Sequence, residues 1–228
     1  MGKRTRSRVK GHSRRFRFPS HRSIGKPEYW EGTAKVMDII HSPERTTPLA
    51  LVREKNGNEK WIIPPEGVKT GQWVKADDGP IKQGNIFSLS DIPEGIPIFN
   101  IEGFPGDNGK FIRASGNFGF IVNKDANRCI VMLPSKKTRA FNPLCKAMIG
   151  TAAGGGRTDK PFVKASKKWF DMRSKGKLFP ASSGSRMNAY DHPFGGKNRP
   201  GWPKTVKRTA PPGAKVGSIA ARRTGKKR

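Results

Sequence analysis

Short runs of alternating hydrophobic and polar residues begin near residue 30 and predict β-strands. The first set of five runs lies at residues 32–41, 49–54, 59–65, 71–77 and 84–93. Asn56 and Gly57 stand between the second and third runs, and this dipeptide in such a position is a strong hairpin signal. Five short strands at this spacing predict a small barrel of the oligonucleotide-binding (OB) fold type.

A second set of short runs predicts a second small barrel. Its six members lie at residues 96–103, 110–116, 119–124, 128–134, 138–142 and 145–151. Turns rich in glycine, asparagine and aspartate divide them. Two barrels within about 120 residues are each near the lower size limit for independent stability, so we expect them to pack together or against a partner.

One helix is predicted, at residues 160–175, where apolar side chains recur at helical spacing. That side of the predicted helix carries Phe162, Val163, Ser166, Trp169 and Phe170. After residue 175 the chain is dominated by Gly, Pro, Ser and basic residues, which supply too few apolar side chains for a core. We therefore expect an extension that a partner orders.

The positive charge is concentrated outside a near-neutral centre. The chain has 228 residues, 46 Lys and Arg against 17 Asp and Glu, and a net charge of +29. Residues 1–27 carry ten basic side chains and none acidic, whereas 28–133 carry twelve basic and fourteen acidic. Residues 134–228 return to a large excess, with twenty-four basic and three acidic. Basic arms around a neutral body are typical of a protein whose extensions enter a polyanion.

These patterns predict a mainly β chain of four regions. Residues 1–27 form a basic N-terminal extension, and 28–94 form the OB-fold-type barrel. Residues 95–175 form the second barrel with one C-terminal helix, and 176–228 form a basic extension rich in Gly and Pro.

Nucleic acid is the first candidate for the polyanion, and a membrane surface is the second. No apolar run approaches the roughly 20 residues of a spanning helix, and no secretory hydrophobic region follows the basic start, so no membrane partner is expected. Cys129 and Cys145 form no CxxC pair and, with four scattered histidines, offer no metal framework. Their apolar neighbours predict buried free thiols in a reducing cytoplasm.

The segment at residues 151–161 is a glycine-rich loop that carries basic residues. Gly154, Gly155 and Gly156 permit positive φ and close approach of another backbone, and Arg157 and Lys160 follow. The nucleotide-binding patterns GxxxxGK[ST] and GxGxxG are absent. A loop lying against RNA backbone is the favoured interpretation, and an ordinary flexible turn is the alternative.

His192 poses a choice between a catalyst, a metal ligand and a structural or RNA-contacting residue. Asp191 is adjacent in sequence, so the two side chains normally diverge and do not indicate a dyad. No second His or Cys falls within 46 residues before it, which disfavours a metal site. Pro193 restrains His192 to extended conformations, and Phe194 offers a stacking face. The composition favours contact with RNA by this loop, through Met187, Asn188, His192, Pro193, Phe194, Gly195 and Gly196.

The two arms supply candidate phosphate contacts because arginine and lysine neutralise phosphates. The candidates are Arg4, Arg6, Arg8, Arg14, Arg15, Arg17, Lys204, Arg208, Arg222 and Arg223. If about ten phosphates are neutralised, log K should fall against log salt with a slope of about −7 to −9.

Four motifs together resemble a known family. They are "NGNEKWIIPPEGVKTGQ", "AGGGRTDKP", "MNAYDHPFGG" and "KVGSIAARRTGKKR". In this order they are similar to the second ribosomal protein of the large subunit, the universal large-subunit protein two family, in its archaeal and eukaryotic-type form. The resemblance runs nearly end to end.

The resemblance implies an OB-fold-type barrel followed by an SH3-like barrel, with both extensions inserted into large-subunit ribosomal RNA (rRNA). It also implies a primary rRNA-binding protein near the peptidyl transferase region, needed for subunit association, transfer RNA (tRNA) binding and peptide bond formation. Its expected partners are large-subunit rRNA, neighbouring ribosomal proteins and the small subunit, within the cytoplasm. No cofactor is expected, with rRNA-bound Mg²⁺ as a possible ion.

The same resemblance matches the family's histidine to His192. The family loop usually has proline after "MN" and a third glycine after "HPFGG", where this chain has Ala189 and Lys197. Lys197 adds a charge that the family pattern lacks.

Two rival functions stay open at this point. One is an enzyme that acts on RNA through His192, and the other is a free nucleic-acid packaging protein. A non-enzymatic ribosomal component is the favoured interpretation, since packaging requires only charge and does not require four ordered motifs.

Overall fold

The computed structural model describes residues 18, 20–197, 205–211 and 213–222. The first half of the chain contains β1 (Gly32–Ile40), β2 (Leu49–Glu54), β3 (Glu59–Ile62), β4 (Trp73–Ala76) and β5 (Ile86–Ser88). The predicted hairpin is confirmed, since β2 and β3 pair antiparallel around Gly57, whose φ is +85°.

Five more strands of the main sheet follow along the chain. They are β6 (Pro97–Phe99), β7 (Gly119–Asp125), β8 (Arg128–Met132), β9 (Thr138–Phe141) and β10 (Lys146–Ile149). β7, β8 and β9 form an antiparallel meander in chain order. The prediction of a mainly β chain is confirmed.

Hydrogen bonds join all ten strands in the order β3-β2-β1-β4-β5-β10-β6-β7-β8-β9. β10 connects the first five strands to β6–β9, because it pairs antiparallel with β5 on one side and with β6 on the other. The chain also divides into two compact units, the body at Ser20–Pro161 and a second that holds Phe162 and the residues after it. Closure of the strands into OB-fold-type and SH3-like barrels, and the limits at 94 and 175, stay predictions.

The core of the body follows from the period-two alternation. In β1 Ala34 and Val36 are fully buried while their neighbours face outward, and Trp30 is buried just before the strand. Burial of each large apolar side chain contributes about 1.5–3 kcal/mol. Cys129 and Cys145 belong to this core as free thiols, so the prediction of buried free cysteines is confirmed. Burial raises the pKa of both thiols.

The predicted strand at 110–116 is wrong. Only Phe111 forms an isolated bridge, with Ile101, and the segment is otherwise a loop. Ile112 has a φ of +54° and Gly116 a φ of +68°, and neither value is compatible with extended strand backbone. Residues 112 and 114 would share one face of a strand, but Ile112 is buried and Ala114 is exposed.

The predicted helix exists but is shorter than 160–175. It is α1 (Ala165–Ser174), and its N-cap Lys164 has extended backbone. Phe162 and Val163 therefore precede the helix instead of lying on its apolar side. No residue of α1 is buried. Later in this unit β11 (Thr205–Val206) and β12 (Ser218–Ile219) pair in parallel.

Candidate nucleic-acid interface

The glycine-rich loop is held against the body by backbone hydrogen bonds. The Gly116 N–H donates to the Ala152 carbonyl over 2.8 Å, and the Ala153 N–H donates to the Pro64 carbonyl over 3.0 Å. A Cβ added at Gly116 would lie 2.8 Å from the Cα of Gly155, so the two backbones approach too closely for side chains. Glycine is thus required at Gly116 partly because a side chain there would disrupt packing within the body.

Gly154 and Gly156 are needed for conformation, since their φ values are +81° and +69°. The loop remains exposed from Gly154 to Lys160. Arg157 lies on this exposed stretch, and its Nε donates a 3.2 Å hydrogen bond to Ser115 Oγ. The structure thus places the predicted glycines and both basic residues on one accessible surface, which leaves RNA contact by them a prediction.

The loop around His192 is closed by its own backbone. The carbonyl of Asn188 accepts hydrogen bonds from the N–H groups of Asp191 and His192, over 3.0 and 3.1 Å. The Gly196 N–H donates to the Met187 carbonyl over 3.2 Å. Gly195 is buried, and a Cβ there would collide with the Asn188 carbonyl. The structure therefore brings the predicted loop residues into one compact turn.

The imidazole of His192 is oriented by the same turn. Its Nδ1 accepts a hydrogen bond from the Phe194 N–H over 3.1 Å, and the two rings lie 5.1 Å apart between centroids. Burial lowers the pKa of His192, which favours the neutral ring. With Nδ1 acting as acceptor, the proton of that neutral ring resides on Nε2.

This geometry differs from a catalytic dyad. In a dyad the carboxylate would accept from the protonated Nδ1, whereas here Nδ1 is itself an acceptor for Phe194. The ring also packs on Gly184, where a Cβ would collide with it. His192 thus has a fixed, partly buried orientation with Nε2 as its hydrogen-bond donor.

The structure describes two of the ten predicted phosphate contacts in the arms. Arg208 and Arg222 are exposed, and each follows the carboxyl end of one of the parallel strands β11 and β12. The remaining arm candidates lie outside the described residues: Arg4, Arg6, Arg8, Arg14, Arg15, Arg17, Lys204 and Arg223.

One cation–aromatic surface was not predicted from the sequence. Lys35 of β1 and Trp73 of β4 are cross-strand partners, with Lys35 Nζ 5.9 Å from the ring centroid. Trp73 is 55% exposed although it is large and aromatic. The alternation of β4 indicates this exposure, because Val74 and Ala76 are its buried positions and Trp73 lies on the opposite face.

Within the described part of the chain, no group of three or more His, Cys, Asp or Glu side chains is arranged to hold a metal ion. No helix there has the length and hydrophobicity required to cross a membrane.

The chain matches two family models over most of its length. Residues 2–76 match "Ribosomal Proteins L2, RNA binding N-terminal domain", and residues 82–216 match "Ribosomal Proteins L2, C-terminal domain".

Curated archaeal relatives are similar from end to end. A protein of Archaeoglobus fulgidus named "Large ribosomal subunit protein uL2" is 52% identical, with 100% of both chains covered. Proteins of the same name from Methanopyrus kandleri and Methanothermobacter thermautotrophicus are each 48% identical. The alignment with the Methanopyrus kandleri protein covers 99% of this chain and 98% of the relative. The alignment with the Methanothermobacter thermautotrophicus protein covers 100% of both chains.

Proposed function

This chain belongs to the ribosomal protein L2 family, and we propose that it is a structural constituent of the large ribosomal subunit that binds rRNA. The observation that carries the proposal is the full-length similarity to proteins named as large-subunit uL2. The distribution of charge supports it independently, because the surplus cations lie before and after the near-neutral stretch at residues 28–133.

The body and the arms have different roles in this proposal. The sheet positions the glycine-rich loop, and the basic regions neutralise phosphates of folded rRNA. Shape dominates recognition, because folded RNA presents phosphates and 2′-hydroxyls more readily than readable base edges. The proposed partners are large-subunit rRNA, neighbouring ribosomal proteins and, through an intersubunit contact, the small subunit in the cytoplasm.

The finer proposal places the chain as a primary rRNA-binding protein near the peptidyl transferase region. There it supports subunit association, tRNA binding and peptide bond formation without being an enzyme. The orientation of His192 supports an architectural role, because Nδ1 accepts from the Phe194 N–H and the ring proton therefore lies on Nε2. A phosphate, a 2′-hydroxyl or a carbonyl would accept from it.

Ultraviolet crosslinking in lysate, followed by mapping of the attached nucleotides, tests this proposal. We expect the protein to sediment with large subunits and the His192 loop and the tail to crosslink to large-subunit rRNA near the peptidyl transferase region. A free packaging protein would instead separate from ribosomes and bind duplex DNA as tightly as large-subunit RNA at the same salt concentration. That result would contradict the proposal.

A further inference from the structure

A small open pocket lies on the body, where β7 begins and β8 ends. It has a volume of about 280 Å³ and is lined by residues 116–120 together with residues 132–134 and Lys136. The aromatic side chains of this lining, Phe118 and Phe120, are here called its floor, and Lys136 and Asn117, which supply a cation and an amide, are called its rim. Neither rim residue, nor either phenylalanine of the floor, was among the predicted RNA contacts.

The floor is built by two aromatic side chains on one face of the chain. Phe118 and Phe120 have ring centroids 5.1 Å apart at an interplanar angle of 71°, so one ring presents its edge to the other. Phe118 is 38% exposed, so part of its ring faces solvent. The pocket thus offers an aromatic surface to an occupant that comes from outside the body.

Backbone packing holds the pocket in shape from behind. Gly119 begins β7, and a Cβ there would lie 2.6 Å from the Met132 carbonyl, so the two walls approach closely. At the rim the Lys136 N–H donates to the Leu133 carbonyl over 2.8 Å in a tight turn, and Lys136 has a φ of +61°. Close backbone contacts therefore hold the two walls of the pocket together.

The surroundings favour an anionic occupant. Lys136 is the one charged side chain among the residues that line the pocket, and it is a cation. The pocket also adjoins the glycine-rich loop, because Gly116 and Asn117 exchange backbone hydrogen bonds with Ala152 over 2.8 and 3.2 Å. A nucleotide combines a flat ring for the aromatic floor with a phosphate for the basic rim.

We propose that this pocket binds one unstacked nucleobase of the rRNA, with the base against Phe118 and its phosphate near Lys136. Single-stranded RNA bases commonly stack on aromatic side chains when they leave a helix, and Asn117 offers both a donor and an acceptor to a base edge. The volume lies just below the usual range of ligand pockets, which suits one ring system. This inference rests on the proposed binding of rRNA.

Equilibrium binding of the full-length chain to large-subunit RNA, measured across a series of salt concentrations, tests the site. Phe118→Leu keeps an apolar side chain and removes the aromatic face, so we expect the dissociation constant to rise about five- to tenfold, the low end for loss of a base–aromatic stack. The salt slope should stay unchanged because no phosphate contact is lost. Phe118→Tyr should bind within about twofold of the wild-type chain because it retains the ring.

Phe104→Leu is the matched control, since Phe104 is 77% exposed on the same body and does not line the pocket. It should bind like the wild-type chain. Lys136→Ala should weaken binding and reduce the salt slope by about one, as expected for a lost phosphate contact. Thermal unfolding of each variant verifies that the fold is retained.

A photo-crosslinking residue in place of Phe118, in assembled large subunits, identifies the occupant. We expect attachment to one nucleotide in an unpaired region of the rRNA. Attachment to a protein neighbour, or wild-type affinity for Phe118→Leu, overturns the inference while RNA binding by the wild-type chain stands. If the wild-type chain does not prefer large-subunit RNA over duplex DNA, the proposed function itself fails.

Discussion

The backbone N–H of Phe194 donates a hydrogen bond to Nδ1 of His192 over 3.1 Å. This contact joins two residues of the "HPFGG" motif and determines which nitrogen of the ring carries the proton. It requires a neutral ring, because protonation would place a second donor opposite the Phe194 N–H.

We therefore expect His192 to titrate below the ordinary histidine pKa of about 6.5. Burial lowers the pKa in the folded loop relative to the unfolded chain. The stability that the neutral ring contributes is then fully present above about pH 6.5 and is lost as the pH falls through the folded-state pKa. Nitrogen-15 NMR of the labelled full-length chain should show a proton on Nε2 at neutral pH and a midpoint below that of an unstructured histidine peptide. A midpoint at or above the peptide value would contradict the orientation described.

Replacement of His192 by Ala should reduce peptide bond formation less than tenfold in ribosomes that assemble normally. A general base typically contributes about 10²–10⁴-fold, so the size of the effect separates chemistry from architecture. His192→Asn is the control, because its side-chain oxygen can accept from the Phe194 N–H in place of Nδ1. Single-turnover peptide bond formation on purified ribosomes provides the measurement, and a loss of several orders of magnitude with normal assembly would instead support catalysis.

Gly116→Ala should destabilise the body by about 1–3 kcal/mol beyond the cost of a positive φ alone. The reason is the 2.8 Å approach between an added Cβ and the Cα of Gly155, which only a shift of the glycine-rich loop can relieve. Gly67→Ala is the matched control, since Gly67 has a φ of +77° with nothing within 4 Å of an added Cβ. It should cost only about 1–2 kcal/mol of backbone strain. Urea unfolding of the two variants compares them, and equal losses would mean that the Gly116–Gly155 contact does not restrict the loop.

Arg208→Ala and Arg222→Ala should each weaken rRNA binding and reduce the salt slope by about one. Both side chains are exposed after the parallel strands β11 and β12, where they can reach phosphates. Arg53→Ala is the control, because its guanidinium is already paired with Glu59 over 2.6 Å on an exposed part of the body. Filter binding of large-subunit RNA at several salt concentrations measures the slopes. An unchanged slope for both tail variants would remove these residues from the phosphate contacts.

Much of the fold was predictable because the information is local. Alternation placed β1, β2 and β3 close to their observed limits, and Asn56-Gly57 marked the turn between β2 and β3. The four ordered motifs identified the family, and that prediction is confirmed by matches covering nearly the whole chain. The glycines and basic residues of the loop at residues 151–161 were also recognisable in the sequence, although their contacts with RNA stay predictions.

The failures come from contacts between residues distant in sequence. The run at 110–116 alternates like a strand, but positive φ at Ile112 and Gly116 and the approach of Gly155 make it a loop. The Phe118 pocket likewise arises only when β7 and β8 pair.

By itself, the sequence determined the β character of the centre, the basic extensions and the family, since these depend on residue types and their local spacing. The tertiary structure alone decided that β10 joins β5 to β6 and that Nδ1 of His192 accepts from Phe194. It also decided that the glycine-rich loop lies against Gly116. Such arrangements depend on which hydrogen bonds and close contacts can form at once in the folded chain, and this competition leaves no periodic signal along the sequence.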